Sequence, residues 1–183
     1  MNAIHHPLLR LAQGIDRFTS ASSNIVVLLL APLVLANVVE VVMRYFLGSP
    51  TTWAADMTVM TYGPFFMLGA AYTMLKGGHV RTDMLWDRFS VRTKGWIDGV
   101  AYLLLLLPVM GLIFFTTVDE AWNAYSIGER SELGLWRPLT WPFRSALPLA
   151  ALLMFIQGIS ETIKAIWTAI TGEVLIATDK IEI

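Results

Sequence analysis

The chain has 183 residues, of which 56% are hydrophobic and only 15% charged, and its net charge is −1. Soluble domains carry about 25% charged residues, and the seven Trp, nine Phe and nine Met exclude a disordered chain or a polyanion-binding one. The absence of cysteine excludes a disulfide framework, thiolate catalysis, iron–sulfur clusters and Cys-based zinc sites, which leaves an integral membrane protein.

The chain opens with LLRLAQGIDRF over residues 8–18, which places Leu8, Leu11, Ile15 and Phe18 at helical spacing with Arg10, Gln13, Asp16 and Arg17 elsewhere. This predicts either a short amphipathic helix in the membrane interface or a frayed polar tail. The apolar run that follows is too long for a signal-peptide core and has no A-x-A site after it, so the segment is expected to stay on the chain. A span needs about 20 mostly apolar residues, and four stretches qualify, at about 25–43, 54–75, 97–118 and 145–170. The last is clean only to Ile156 and then carries Ser160, Glu161 and Lys164. Pro32, Pro64 and Pro108 fall inside spans, where a membrane helix tolerates them by local adjustment and kinking. Continuous apolar runs without period-2 alternation exclude a β-barrel. The expected fold is therefore all-α, a single four-helix membrane domain over 1–183 with a short amphipathic interfacial helix before the spans.

Nine of the thirteen Lys and Arg residues fall in the N-terminus, the second loop and the C-terminal end, against four in the first and third loops. That imbalance predicts both termini in the cytoplasm. Trp53, Trp122, Trp136 and Trp141 then lie near the outer interface, and Trp86, Trp96 and Trp167 near the inner one.

Several polar residues need an explanation. Glu40 and Arg44 are four apart in the favourable acid-before-base order, with Asn37 one turn earlier. They read either as an intramembrane ion site or as a snorkelling pair at the end of the first span. Trp53 and Asp56 open the second span, where an interface favours Trp and a helix N-terminus favours Asp. Asp56 can also pair with Arg44 across the first loop. After the second span, Gly77 and Gly78 end a helix, and His79, Asp83 and Asp87 follow at i, i+4 and i+8, a spacing open to a metal site or to a hydrogen-bonded loop cap. The short side chains at Gly69, Ala70, Ala71 and Thr73 permit close helix approach.

The third loop, from Asp119 to Arg144, carries Glu129, Arg130, Ser131, Glu132, Trp136 and Arg137, enough polar and aromatic surface either to dock a partner or to serve as a solvated loop. On the fourth span Gln157, Glu161 and Lys164 share one face, and so small a bundle has little interior for them, so the stripe is expected to meet another subunit. The three histidines lie outside the spans, which excludes a membrane dihaem site, and no phosphate-binding Gly-rich loop is present. Nothing looks catalytic and no cofactor is implied.

Taken in order, these features form a pattern. Arg44-Tyr45-Phe46 closes the first span, Trp53-x-x-Asp56 opens the second, and Gly78-His79-Val80-Arg81-Thr82-Asp83 follows it. With Gly69 inside the second span and Pro148 leading toward Gln157, the pattern resembles the small, DctQ-like membrane subunit of tripartite ATP-independent periplasmic (TRAP) transporters over about residues 25–165. Asp56 stands where Glu is commoner, and the third loop is longer and richer in Trp and Pro than in many members. The resemblance implies a non-catalytic subunit in the bacterial inner membrane. It braces a large multi-span subunit that holds the substrate and ion sites, while a periplasmic binding protein delivers an organic acid. Structural and assembly roles then fall to Glu40, Arg44, Trp53, Asp56, His79, Arg81, Asp83, Gln157 and Glu161. Glu129, Arg130, Glu132, Trp136 and Arg137 become candidate contacts for the periplasmic protein, with membrane lipid as a further partner. Two other classes compete, a stand-alone homo-oligomeric four-span transporter and the anchor subunit of another membrane complex.

Overall fold

The computed structural model describes residues 7–77 and 89–173, and these are almost wholly helical. The elements are α1 (Pro7–Val27), α2 (Leu30–Tyr45), α3 (Ala54–Leu75), α4 (Val91–Ala101), a π-helical turn (Tyr102–Leu106), α5 (Leu107–Ser126) and α6 (Trp141–Thr171). The one β feature among the described residues is an isolated antiparallel bridge between Arg130 and Leu139. Three stretches are long and apolar enough to cross a membrane, Pro7–Tyr45, Val91–Ser126 and Trp141–Thr171. The 22 residues of α3 are long enough, at roughly 33 Å, but Thr, Tyr, Gly and Pro dilute its hydropathy.

The first helix is longer than its amphipathic stripe predicts. It continues to Val27, and only Leu28 and Leu29 separate it from α2. Pro32 explains the break, because it has no N–H to give the Leu28 carbonyl and its ring crowds that oxygen. The carbonyl instead accepts from Ala31 N at 3.3 Å, and Leu28 and Leu29 make tight three-residue bonds back to Ile25 and Val26. Leu8, Leu11 and Phe18 are all more than half exposed, as an apolar face turned to lipid should be. The side that packs is made of Leu9, Ala12, Thr19 and Val26, which are buried.

Pro108 is met differently. The turn before it widens, and Leu107 N bonds five residues back to Tyr102 O. Such π-turns commonly relieve a proline or an inserted residue inside a long helix. Pro64 and Pro148 sit inside unbroken helices. The helix expected to end near Val118 runs on to Ser126, because Asp119 and Glu120 end the apolar span without opposing helix. The stop is Gly128 at φ +62°, where Gly128 N bonds to Tyr125 O and Glu129 N to Ala124 O, the double bond of a Schellman cap.

The chain divides into two compact units. One gathers the described parts of 1–21, 70–112 and 151–183. Its apolar centre is Ala71, Met74 and Met154, flanked by Tyr102, Leu106 and Met110. Here α4 lies directly on α6, where a Cβ on Gly95 would stand 2.5 Å from Ala169 N and 2.8 Å from Ala165 O. One turn on, a Cβ on Gly99 would be 3.4 Å from Ile166. Gly95-x-x-x-Gly99 thus faces Ala165-x-x-x-Ala169, the small-residue pairing that lets membrane helices touch backbone to backbone. A Cβ on Gly69, by contrast, would meet no described residue within 4 Å.

The other unit holds 22–69 and 113–150. Phe143 packs against Gly63 there, and the Tyr125 and Trp141 rings meet edge to face at 5.7 Å. On α2 only Ala36 is buried, and most of its valines and leucines are exposed.

Candidate functional site

Polar side chains gather in one cluster in each unit. In the first unit, Gln157, Ser160, Glu161 and Lys164 fall on one face of α6, and Ala12, Asp16 and Thr19 fall on one face of α1. The two stripes interlock. Thr19 Oγ1 donates to Gln157 Oε1 at 2.7 Å, and Gln157 Nε2 donates at 3.0 Å to both Asp16 Oδ1 and Glu161 Oε1. Ser160 Oγ reaches Asp16 Oδ1 at 2.7 Å and Ala12 O at 3.2 Å. Lys164 Nζ bridges the two acids, 3.2 Å from Asp16 Oδ2 and in contact with Glu161 Oε1. Gln157 and Ser160 are fully buried, and the three charged side chains are only 15–18% exposed. The stripe predicted to meet another subunit is therefore satisfied within the chain. Its partner is the N-terminal helix, which composition suggested would rest on the membrane rather than against α6.

In the second unit, Glu40 pairs with Arg44 and also holds the first loop. Its Oε1 accepts from Arg44 Nε at 2.8 Å, its Oε2 accepts from Thr51 N at 2.9 Å and from the Thr51 hydroxyl, and Thr51 Oγ1 in turn accepts from Ala54 N at the start of α3. Asn37 takes no part, bonding instead to Leu33 O of its own helix at 2.8 Å. Asp56 does not pair with Arg44, whose guanidinium is held by Glu40. It is fully buried and accepts a hydrogen bond from Ser131 Oγ, 75 residues away, while Gly134 lies so close that a Cβ there would be 2.5 Å from Asp56 Oδ2. Asp56 Oδ2 has no hydrogen-bond partner among the described residues. Trp53 is half-buried beside it.

Asp56 anchors the loop over 127–140, which is pinned at both ends. Ser131 N bonds to Pro138 O at 2.8 Å and Thr140 N to Glu129 O at 2.9 Å. The Glu129 carboxylate accepts from Arg144 Nη2 at 2.6 Å, with Glu120 3.9 Å from the same guanidinium. Beneath the loop a cleft of about 670 Å3 runs between α3, α5 and α6, with Met60, Met67, Phe143 and Leu147 as its apolar wall and Arg130 and Arg144 at its polar rim. Glu132, Trp136 and Arg137 are exposed on the loop itself. No group of three or more His, Asp or Glu among the described residues is placed to hold a metal ion. His79, Arg81 and Asp83 lie outside the described residues, as does Asp87.

Glu40 and Arg44 therefore join as the spacing predicts, and Gln157 and Glu161 join in a second, separate cluster. Asp16, Thr19 and Ser160 complete the second, and Ser131 pairs with Asp56; none of them is legible as a partner from sequence. The Gly95-x-x-x-Gly99 contact did have a signal, a small-xxx-small motif, but it sits among Arg92, Lys94 and Asp98, where it reads as polar helix surface.

These two clusters can brace and orient helices. Against known proteins, no curated protein and no solved structure matched the chain. Residues 33–168 match the family model described as the DctQ component of tripartite ATP-independent periplasmic transporters. That match begins within α2, ends within α6, and includes both the Glu40–Arg44 pair and the loop anchored on Asp56. With 136 of its 183 residues matched, the chain belongs to the DctQ family of TRAP transporter components.

Proposed function

We propose that the chain is the non-catalytic small permease subunit of a TRAP-type secondary transporter in the bacterial inner membrane. It crosses the membrane four times with both termini in the cytoplasm, and it braces a large multi-span subunit during ion-coupled uptake of an organic acid. The family match over 33–168 carries this reading. The exposed apolar flank of α2 and the open side of Gly69 support it, since both suit a neighbouring helix or lipid better than water. In this reading the 127–140 loop faces the periplasm, and Glu129, Arg130, Glu132, Trp136 and Arg137 are its surface toward the binding protein. His79, Arg81 and Asp83 would serve assembly on the cytoplasmic side.

The direct test is to purify the tagged chain from native membranes in mild detergent and to identify what co-purifies by mass spectrometry. A much larger multi-span permease is the expected companion. Recovery of the chain alone as a homo-oligomer would overturn the proposal and return Glu40 to consideration as a membrane-embedded acid. Asp56→Ala is expected to lower complex yield and uptake together, because it removes the anchor of a whole loop. Arg44→Ala should act in the same direction but more weakly, because the Arg44 side chain is 56% exposed and an exposed pair contributes little. Uptake that falls while an intact complex remains equally abundant would assign these residues to transport itself.

A further inference from the structure

The two faces of α4 differ sharply. Gly95 and Gly99 pack on α6, whereas Trp96, Ile97 and Val100 are 54%, 41% and 49% exposed. These three side chains, with Ala101, Leu104 and Leu105, line an apolar groove of about 600 Å3. The groove runs along the helix rather than around it. Positions four apart drift by about 40° on a regular α-helix, so 96, 100 and 104 would wind off to one side. The π-helical turn over Tyr102–Leu106 rotates less per residue and takes back part of that drift, which keeps Leu104 and Leu105 in line with Trp96 and Ile97.

Charge is found at one end of this groove. Arg92 stands one turn ahead of Trp96, and Lys94 one turn ahead of Ile97, at the two edges of the N-terminal end. At the other end the chain runs on from Leu105 with no charged residue before Asp119. Arg92 is exposed and pairs with no described carboxylate, and a Cβ on Gly172 would stand 3.1 Å from its Nε. Trp96 lies between the cations and the leucines, the place an indole ring takes at a membrane–water boundary. Residues 76–98 carry five Lys and Arg against three Asp, a net charge of +2.

A free anion would use only the cations, and a neighbouring helix only the apolar length. An anionic head joined to a hydrocarbon chain satisfies both at once, and a zwitterionic head adds an ammonium that the cations repel. We infer that this groove binds an anionic phospholipid, with its phosphate against Arg92 and one acyl chain lying from Trp96 to Leu105. The inference needs α4 to meet a bilayer surface but does not need the subunit assignment, so either can fail alone.

The full chain, purified and delipidated in mild detergent, is titrated with phosphatidylglycerol and with phosphatidylethanolamine of matched chains. Native mass spectrometry counts the bound lipid. Phosphatidylglycerol should bind about fivefold more tightly, the gain from one cation beside an anionic lipid. Arg92→Gln should erase that preference and leave the lipid-free thermal midpoint unchanged. Ala101→Phe, which fills the groove, should lose both lipids. Equal binding of the two lipids by the wild type would overturn the inference, as would a preference that survives Arg92→Gln. Competition by inorganic phosphate alone would reduce the site to an anion contact and overturn it too. If Arg92→Gln lowers the lipid-free midpoint, Ala101→Phe decides, since phosphatidylglycerol retained by that variant overturns the inference and its loss upholds it.

Discussion

Gly95→Ala is expected to destabilise the protein by about 2–3 kcal/mol. A Cβ at that position meets the Ala169 amide nitrogen at 2.5 Å and the Ala165 carbonyl at 2.8 Å, and both belong to helix backbone that cannot rotate away. Relief requires α4 and α6 to separate along their whole contact, which opens the packing of Gly99 on Ile166 as well. Thermal unfolding of the detergent-solubilised chain measures the loss. Gly69→Ala is the control, because no described residue lies within 4 Å of its added methyl. Equal melting temperatures for the two variants would show that the close contact of α4 with α6 does not hold in the membrane protein. If Gly69→Ala leaves the isolated chain unchanged yet lowers the yield of the complex, its open side faces the large subunit.

Lys164→Met should cost about 3 kcal/mol, the lower end of the range for breaking a mostly buried ion pair. The substitution preserves bulk but leaves the carboxylates of Asp16 and Glu161 facing each other without a cation. The triple variant Asp16→Asn, Glu161→Gln, Lys164→Met should recover most of that loss, because it removes all three charges while the amides continue to bond to Gln157 and Ser160. Such non-additivity separates a coupled network from three independent contacts. Hydrogen exchange over residues 12–23 reads the result locally, with α1 amides expected to exchange faster in the single variant and near wild type in the triple. If the triple variant is as damaged as the single, the cluster contributes specific attraction rather than merely tolerating its own charges.

The helices were legible because apolar runs of span length are hard to disguise, and their ends were less so because polarity and helicity stop for different reasons. α5 passes Asp119 and Glu120 and halts only at Gly128, so the charge marks where lipid ends while the glycine marks where the helix ends. The chain's interior was harder to read, since apolar side chains face outward in lipid and the buried positions go to Ala, Gly, Ser, Thr and Gln. Hydrophobic periodicity then finds the outside of each helix, as it does with Leu8, Leu11 and Phe18 on α1. Gln157, Glu161 and Lys164 stood out as a stripe from spacing alone, yet their partners Asp16 and Thr19 are about 140 positions away and share no local signal with them. The anchor of Asp56 on Ser131 is non-local in the same way. Glu40 and Arg44, four residues apart on one helix, were readable because geometry within a single helix needs no tertiary knowledge.

The π-turn at Tyr102–Leu106 determines how this helix can be compared with others. One extra residue in a turn shifts the helical phase by roughly 100°, so the turn decides whether faces before and after it look the same way. Gly95 and Gly99 before the turn, and Leu107 and Gly111 after it, all meet α6, at Ala165, Ile166, Gly158 and Phe155. An uninterrupted α-helix would bring one of these two sets round to lipid. Deleting a single leucine from 103–105 lets the turn close into regular α-helix with both sets still on α6, so it should do less harm than inserting one residue there. In an alignment, a relative that packs the same way without the bulge will show a one-residue gap between Gly99 and Pro108, and that gap will mark geometry rather than a lost contact.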